Sequence, residues 1–225
     1  MLNIMHETKD IIIVNKPAGQ LSQGAKGFDL DLVSEVMTYN ASQGKPAYAA
    51  IINRLDRPVS GLVLIAKNKS AAAKYSTLMQ KEGGFNKQYE ALICGKLSEL
   101  KGTFVDYLKK DGRTNTSAIV PADAAANDKE AKLSKLEYEV ISYDEVKDIT
   151  HVRIHLITGR HHQIRVQFAS RRHPLVGDYK YATAYCGMDN AVKAVAFKRN
   201  QIALCAVSLT IDNKTYSVTP DFVIN

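Results

Sequence analysis

At 225 residues, 45% of them apolar, the chain is long enough to fill a core of its own, which excludes disorder as its main state. Thirty lysines and arginines against 23 aspartates and glutamates leave a charge of +7, a surplus that favours phosphate-rich partners without naming one. No apolar run approaches the roughly 20 residues of a membrane helix. His6, Glu7, Lys9 and Asp10 interrupt the N-terminus before a secretory signal could form, and Cys94, Cys186 and Cys205 form no CxxC pair. A cytoplasmic protein with ordinary, mostly buried thiols and no membrane association is expected.

In chain order, residues 10–14 read as a buried strand that ends at the turn Lys16-Pro17-Ala18-Gly19. Leu30, Val33, Val36 and Met37 then recur at helical spacing. Residues 62–66 form a second apolar strand, and Ser70 is a plausible N-cap for a helix over 71–80 with Leu78 and Met79 facing inward. Strands follow at 89–94, 136–141 and 151–157, and the last alternates, with Val152, Ile154 and Leu156 on one face. Between them the polar, Ala-rich stretch 109–132 suits a loop or hairpin. A helix is expected over about 160–170, capped by Thr158 and Gly159 and with Ile164 and Phe168 four apart on one side, before strands at 202–211 and 215–218. Strands broken by a few helices without regular βαβ alternation predict an α+β fold, expected as one domain over residues 1–225.

Three clusters could carry chemistry. Asn53-Arg54-Leu55-Asp56-Arg57 sets one carboxylate between two guanidinium groups in a turn. Those neighbours favour the charged form of Asp56, able to act as nucleophile or base, although an ordinary surface ion pair has the same sequence. Thr158-Gly159-Arg160-His161-His162-Gln163-Ile164-Arg165 loads a helix start with donors, which suits an anion. Its histidines could instead ligate metal or merely cap the helix; adjacent positions point to different faces and no HExxH pattern is present, so no metal is expected. Arg153, Arg160, Arg165, Arg171, Arg172 and Lys180, interleaved with Tyr179, Tyr181 and Tyr185, suit phosphate contact and base stacking, or a plain solvated face. Walker-type, GxGxxG and GxSxG patterns are missing, which removes the usual supports for nucleotide hydrolysis, dinucleotide binding and acyl transfer.

Taken together these stretches resemble the RluA-type RNA pseudouridine synthases. DIIIVNKPAG at 10–19, NRLDRPVSGLVLIAK at 53–67, KQYEALICGKL at 87–97 and TGRHHQIRVQFASRRHPLVGDYKY at 158–181 carry the likeness in family order, with IALCAVSLTI at 202–211 as a weaker fifth. The resemblance implies a catalytic domain with a mixed, mainly antiparallel central sheet flanked by helices. It makes Asp56 the catalytic aspartate, Tyr89 the aromatic against the target base and Arg165 the basic partner of Asp56. It implies isomerisation of uridine in a structured transfer or ribosomal RNA without a cofactor and without an obligate protein partner. Arg54, Arg57, Arg160, His161, Gln163, Arg171, Arg172 and Lys180 become the expected RNA contacts, gripping the phosphates around a flipped-out nucleotide.

The family usually has His at Asn53, Thr at Val59, His at Gln167 and Gly at Arg172; these departures bear on rate and substrate choice more than on reaction type. Many relatives also carry a small N-terminal RNA-binding domain, whereas this sequence enters the catalytic motifs almost at once, so target recognition is expected from the catalytic domain itself. A scaffold that binds RNA without catalysis is the main rival reading, and a His-dependent metal hydrolase the lesser one.

Overall fold

The structure, a computed structural model, describes residues 2–24, 30–81, 84–186 and 201–222. The chain divides into two compact units, one running to Asn86 and completed by Cys205–Asp221, the other beginning at Lys87 and including Ile202–Leu204.

The first unit is built on apolar runs too continuous for a half-exposed strand. β1 (Ile4–Glu7) pairs antiparallel with β2 (Ile11–Lys16), which pairs antiparallel with β4 (Ser60–Ala66), and the short β3 (Ala50–Ile51) also lies antiparallel on β4. Ile12, Ile13, Val14 and Val63 to Ala66 are fully buried, as expected of strands covered on both faces. β10 (Leu204–Ile211) is the parallel neighbour of β4 and turns back into β11 (Lys214–Ser217). Asp212 and Asn213, at φ 47° and 60°, make that turn a two-residue one with both central residues left-handed, which suits their short polar side chains. Gly61, at φ 113°, allows the parallel pairing, because a Cβ there would lie 2.4 Å from the Ala206 carbonyl oxygen.

Two helices cover this sheet. α1 (Leu32–Ser42) is capped by Asp31, whose carboxylate accepts the Ser34 N–H at 2.8 Å. The cap sets the helix phase, so the buried stripe is Leu32, Val36 and Asn40; Leu30 lies outside the helix and is exposed, and Met37 faces outward. α2 (Lys69–Gln80) is capped by Asn68 in place of the expected Ser70. Its inward anchors are Ala71 and Tyr75, with Leu78 and Met79 only partly buried against the cluster of Ile11, Ile13, Leu62, Leu64, Phe85 and Leu209. The Tyr75 hydroxyl donates to Asp212 at 2.6 Å and so ties α2 to the β10–β11 turn.

In the second unit β5 (Asn86–Cys94), β9 (Ile149–Leu156), β8 (Lys132–Asp144), β6 (Lys101–Asp111) and β7 (Thr116–Val120) lie side by side, every pair antiparallel. The stretch 109–132 is the β6–β7 hairpin end followed by the short α3 (Ala122–Ala125). One face of the sheet packs on α4 (Gln163–Ala169), where Phe168 meets Phe104 and Tyr138 at ring separations of 5.0 and 5.8 Å. Every residue of α4 is buried, the polar ones included, and Val166 and Ala169 share a cluster with Leu108 and Tyr181 of α5 (Tyr179–Cys186). The architecture is the expected α+β one, a mixed and mainly antiparallel sheet flanked by helices. Cys94 and Cys205 are buried and Cys186 partly so. No helix among the described residues is long and apolar enough to cross a membrane.

Candidate active site

Asp56 sits half-buried in the tight connection between β3 and β4, where the Val59 N–H donates to the Asp56 carbonyl at 3.0 Å. Three devices hold this turn. Asn53, buried at its start, donates through Nδ2 to the Leu62 carbonyl at 3.0 Å and accepts the Leu64 N–H at 2.7 Å. The Ser22 hydroxyl donates to the Leu55 carbonyl at 2.7 Å and accepts the Leu55 N–H at 3.2 Å. The Lys-Pro-Ala-Gly turn closes the other side, with the Gly19 N–H donating to the Arg57 carbonyl at 2.7 Å and Arg57 Nε donating to the Gly19 carbonyl at 2.9 Å. Arg54 and Arg57 are exposed.

Beneath this turn lies a lysine whose task the motif alone does not show. Lys16 is fully buried, and its ammonium donates to the carbonyls of Pro17, Gln20 and Arg57 at 2.9, 2.9 and 3.4 Å. Burial pushes its pKa down to about 8, against the opposing pull of the Asp56 and Asp221 charges. A continuous apolar run that ends in Asn15 and Lys16 gives no hint of a lysine turned inward.

The second unit presents Tyr89 on β5, 7% exposed and paired across to Ile154. Lys87, two residues earlier on the same strand face, is likewise buried, and its Nζ lies 3.5 Å from where a Gly159 side chain would begin. Burial pushes the Lys87 pKa down as well. Arg165 is buried in α4 and grips Asp178, Nε to Oδ2 at 2.6 Å and Nη2 to Oδ1 at 2.8 Å.

The expected RNA contacts divide by exposure. Arg160 and Lys180 are exposed; Arg160 Nε donates to the Leu133 carbonyl at 3.0 Å, and Lys180 Nζ donates to the carbonyls of Thr114 and Asn115 on the β6–β7 turn. His161 is half-buried, with Nδ1 2.8 Å from the Ser117 hydroxyl. Gln163 is a correction. At 3% exposure its amide oxygen takes the Thr158 hydroxyl and the Arg160 N–H and its amide nitrogen donates to Gln167, so it shapes the loop and offers nothing to RNA. Thr158 therefore bonds to Gln163 and to the Lys135 N–H and does not cap α4; His162, at φ 54°, occupies that position. Arg171 is half-exposed, bonds Asp106 through two nitrogens at 2.9 and 3.1 Å and stacks 4.0 Å from the Phe104 ring. Arg172 is exposed, holds the Tyr185 carbonyl and has φ 68°, the backbone conformation that makes glycine the usual family residue there. Gln167 is fully buried against Asp106, and Tyr181, expected to stack on bases, is a core residue 2% exposed.

The two adjacent histidines are spent inside the unit. Their rings stack at 3.7 Å, and His162 Nδ1 lies 2.7 Å from the Tyr181 hydroxyl. Burial, aided by the nearby charges of Arg165, His161, Lys180 and Lys110, holds the His162 pKa down at about 2 and keeps the ring neutral. Among the described residues no three His, Cys, Asp or Glu side chains converge as a metal site.

The first unit thus presents Asp56 in an Arg-flanked turn, and the second presents a buried strand tyrosine, Tyr89, and a buried helical arginine, Arg165. The family model described as RNA pseudouridylate synthase matches residues 10–170, and the chain belongs to that family, of the RluA type its motifs resemble. It is 34% identical over 181 residues to the ribosomal large subunit pseudouridine synthase D of Haemophilus ducreyi, covering 80% of this chain and 52% of that protein. It is likewise 34% identical over 182 residues to the protein of the same name from Buchnera aphidicola, covering 80% and 55%. The chain thus spans about half the length of the curated relatives it matches. Among solved structures, human RNA pseudouridylate synthase domain containing 1 shares the fold at a TM-score of 0.73 and 24% identity, over 98% of this chain and 84% of that one.

Proposed function

We propose that the chain isomerises uridine to pseudouridine in a structured RNA, with residues 1–225 acting as one catalytic domain; the family match over residues 10–170 includes parts of both units, which favours reading them together. The observation that carries the reading is the Asp56 turn, held by the buried hydrogen bonds of Ser22 and Asn53 and by the exposed Arg57–Gly19 bond, in a chain of this family. The N1–C1′ bond of the target uridine breaks, the uracil turns over, C5 joins C1′, and the hydrogen on C5 leaves as a proton while N1 gains one. Asp56 serves as nucleophile at the sugar or as base toward it, Arg165 orients the carboxylate, and Tyr89 lies against the ring. Every one of these steps rearranges a single nucleotide, so no cofactor is called for.

Arg54, Arg57, Arg160, His161, Arg172 and Lys180 form the RNA-facing set, with Arg171 contributing through the part of its guanidinium left half-exposed. Ribosomal RNA is the first substrate to try, because the relatives named above carry the large ribosomal subunit in their names; transfer RNA is the second. The test is tritium release from unmodified RNA labelled at uridine C5, with wild type and Asp56→Ala compared on both pools. Release by wild type alone is expected. Undiminished turnover in Asp56→Asn would remove Asp56 from the chemistry, and no release from either pool by protein that binds RNA would favour a binding role without catalysis. Arg165→Met should lower turnover far more than RNA affinity; equal losses would make Arg165 a phosphate contact.

A further inference from the structure

We propose that Asp178 is a positioning residue for catalysis, fixing the direction and roll of the Arg165 guanidinium. The proposal rests on the functional reading above.

The carboxylate meets Arg165 edge to edge, Nε to Oδ2 at 2.6 Å and Nη2 to Oδ1 at 2.8 Å, with side-chain exposures of 7% and 1%. A paired contact of this kind fixes both the direction and the roll of a guanidinium, which a single bond or a point charge could not do. It uses the Nε–Nη2 edge and so aims the Nη1 end away from Asp178. The ring of Tyr181 lies 5.0 Å from the guanidinium carbon and closes one of its faces. Tyr181 is itself immobilised, since its hydroxyl accepts the Ser117 N–H at 2.9 Å and lies 2.7 Å from His162 Nδ1. Asp178 has a fixed frame too. Its N–H donates to the Leu175 carbonyl and its carbonyl accepts the Ala182 N–H, both at 3.0 Å, which anchors it at the start of α5.

Stability alone is a poor reason for such a pair. Removing both charges from water costs several kcal/mol per ion in real proteins, and apolar residues of similar volume often do as well or better. What the pair supplies is orientation, together with charge: Asp178 offsets the Arg165 cation inside a helix that is buried on every side, so the guanidinium can be kept there as a directed donor. The sequence hides this, because Asp178 lies in the Val-Gly-Asp-Tyr stretch 13 residues beyond Arg165, where the surrounding basic residues suggest an exposed surface.

The experiment is a double-mutant cycle of Asp178→Asn and Arg165→Met, read by tritium release and by RNA binding. Asp178→Asn is expected to lower kcat about 10- to 100-fold with KM and RNA Kd within about 2-fold of wild type, the pattern of a lost transition-state interaction. In the Arg165→Met background the same change should cost less than about 3-fold, because a residue that acts through Arg165 has nothing left to position. Asp178→Glu keeps the charge but displaces it and should lose less than Asp178→Asn, which guards against a variant that does not fold. A full kcat in Asp178→Asn, or an equal loss with and without Arg165, would overturn the proposal. An activity-free readout separates it from the functional reading: the Arg165 Nε–H resonance in wild type should exchange slowly with water and lose that protection in Asp178→Asn. If wild type releases no tritium from any RNA, the proposed reaction falls. An unprotected Arg165 Nε–H in wild type would independently sink the role of Asp178.

Discussion

The buried ammonium of Lys16 offers the sharpest quantitative test of the first unit. Its pKa in the folded protein is about 8, against an ordinary value of 10.5, so between those two values the unfolded chain binds more protons than the native one. Stability must then rise with pH across that window, because the folded state is relieved of a charge it holds at a cost. A depression from 10.5 to about 8, at about 1.4 kcal/mol per unit, corresponds to about 3 kcal/mol, of which about 2 is recovered between pH 7 and 10. The assay is urea unfolding of wild type and Lys16→Met at intervals from pH 7 to 10. Tyrosine titrations are common to both proteins and cancel in the difference. At pH 7 the variant loses the three carbonyl contacts, each worth about 1.5–3 kcal/mol as bonds to a charge, and escapes a burial cost of about 3 kcal/mol, so wild type should already be the more stable there by at least about 1 kcal/mol. The gap in favour of wild type should widen by about 2 kcal/mol toward pH 10. Parallel stability curves for the two proteins would refute the reasoning.

Two further outcomes follow from the backbone. Gly61→Ala sets a methyl group 2.4 Å from the Ala206 carbonyl oxygen at φ 113°, so a destabilisation of about 3 kcal/mol or more is expected in denaturant unfolding; a loss below about 1 kcal/mol would mean that β4 and β10 can part without cost. Arg172→Gly relieves a left-handed residue and should raise stability by about 0.5–1 kcal/mol in the same assay while weakening RNA binding slightly, since one exposed cation is lost; a lower melting temperature would contradict it.

The parts of the fold that could be read in the sequence are those whose pattern has one physical solution. Residues 11–14 and 62–66 are uninterrupted β-branched and leucine runs, and only a strand covered on both faces buries them. β6 is hidden in the sequence because its buried large side chains are Phe104 and Leu108, four apart, a spacing that suits a helix as well as a strand. The start of α2 is ambiguous by two residues in the sequence because Asn68 and Ser70 are both competent caps. Asn68 prevails because its amide also donates to Asp10 at 2.9 Å, a contact that no local rule contains. At the candidate site the motifs single out Asp56, Tyr89 and Arg165, residues of chemical type and family position. They do not show what holds them: Lys16, Asp178 and Tyr181 act through contacts between residues whose types suggest surface, and Gln163 and Gln167 look like contacts for a ligand until burial reveals them as braces.

Asn53 stands where relatives usually have histidine, and its two bonds give that difference a consequence. A neutral imidazole can donate from one nitrogen and accept at the other, and so could make the same two links to β4; once protonated it can only donate, and the Leu64 N–H would lose its acceptor. An amide has no such second state. The hold on the Asp56 turn in this chain is therefore indifferent to acid, and any loss of activity between pH 5 and 7 must originate in some group other than the one that fastens the turn to its strand.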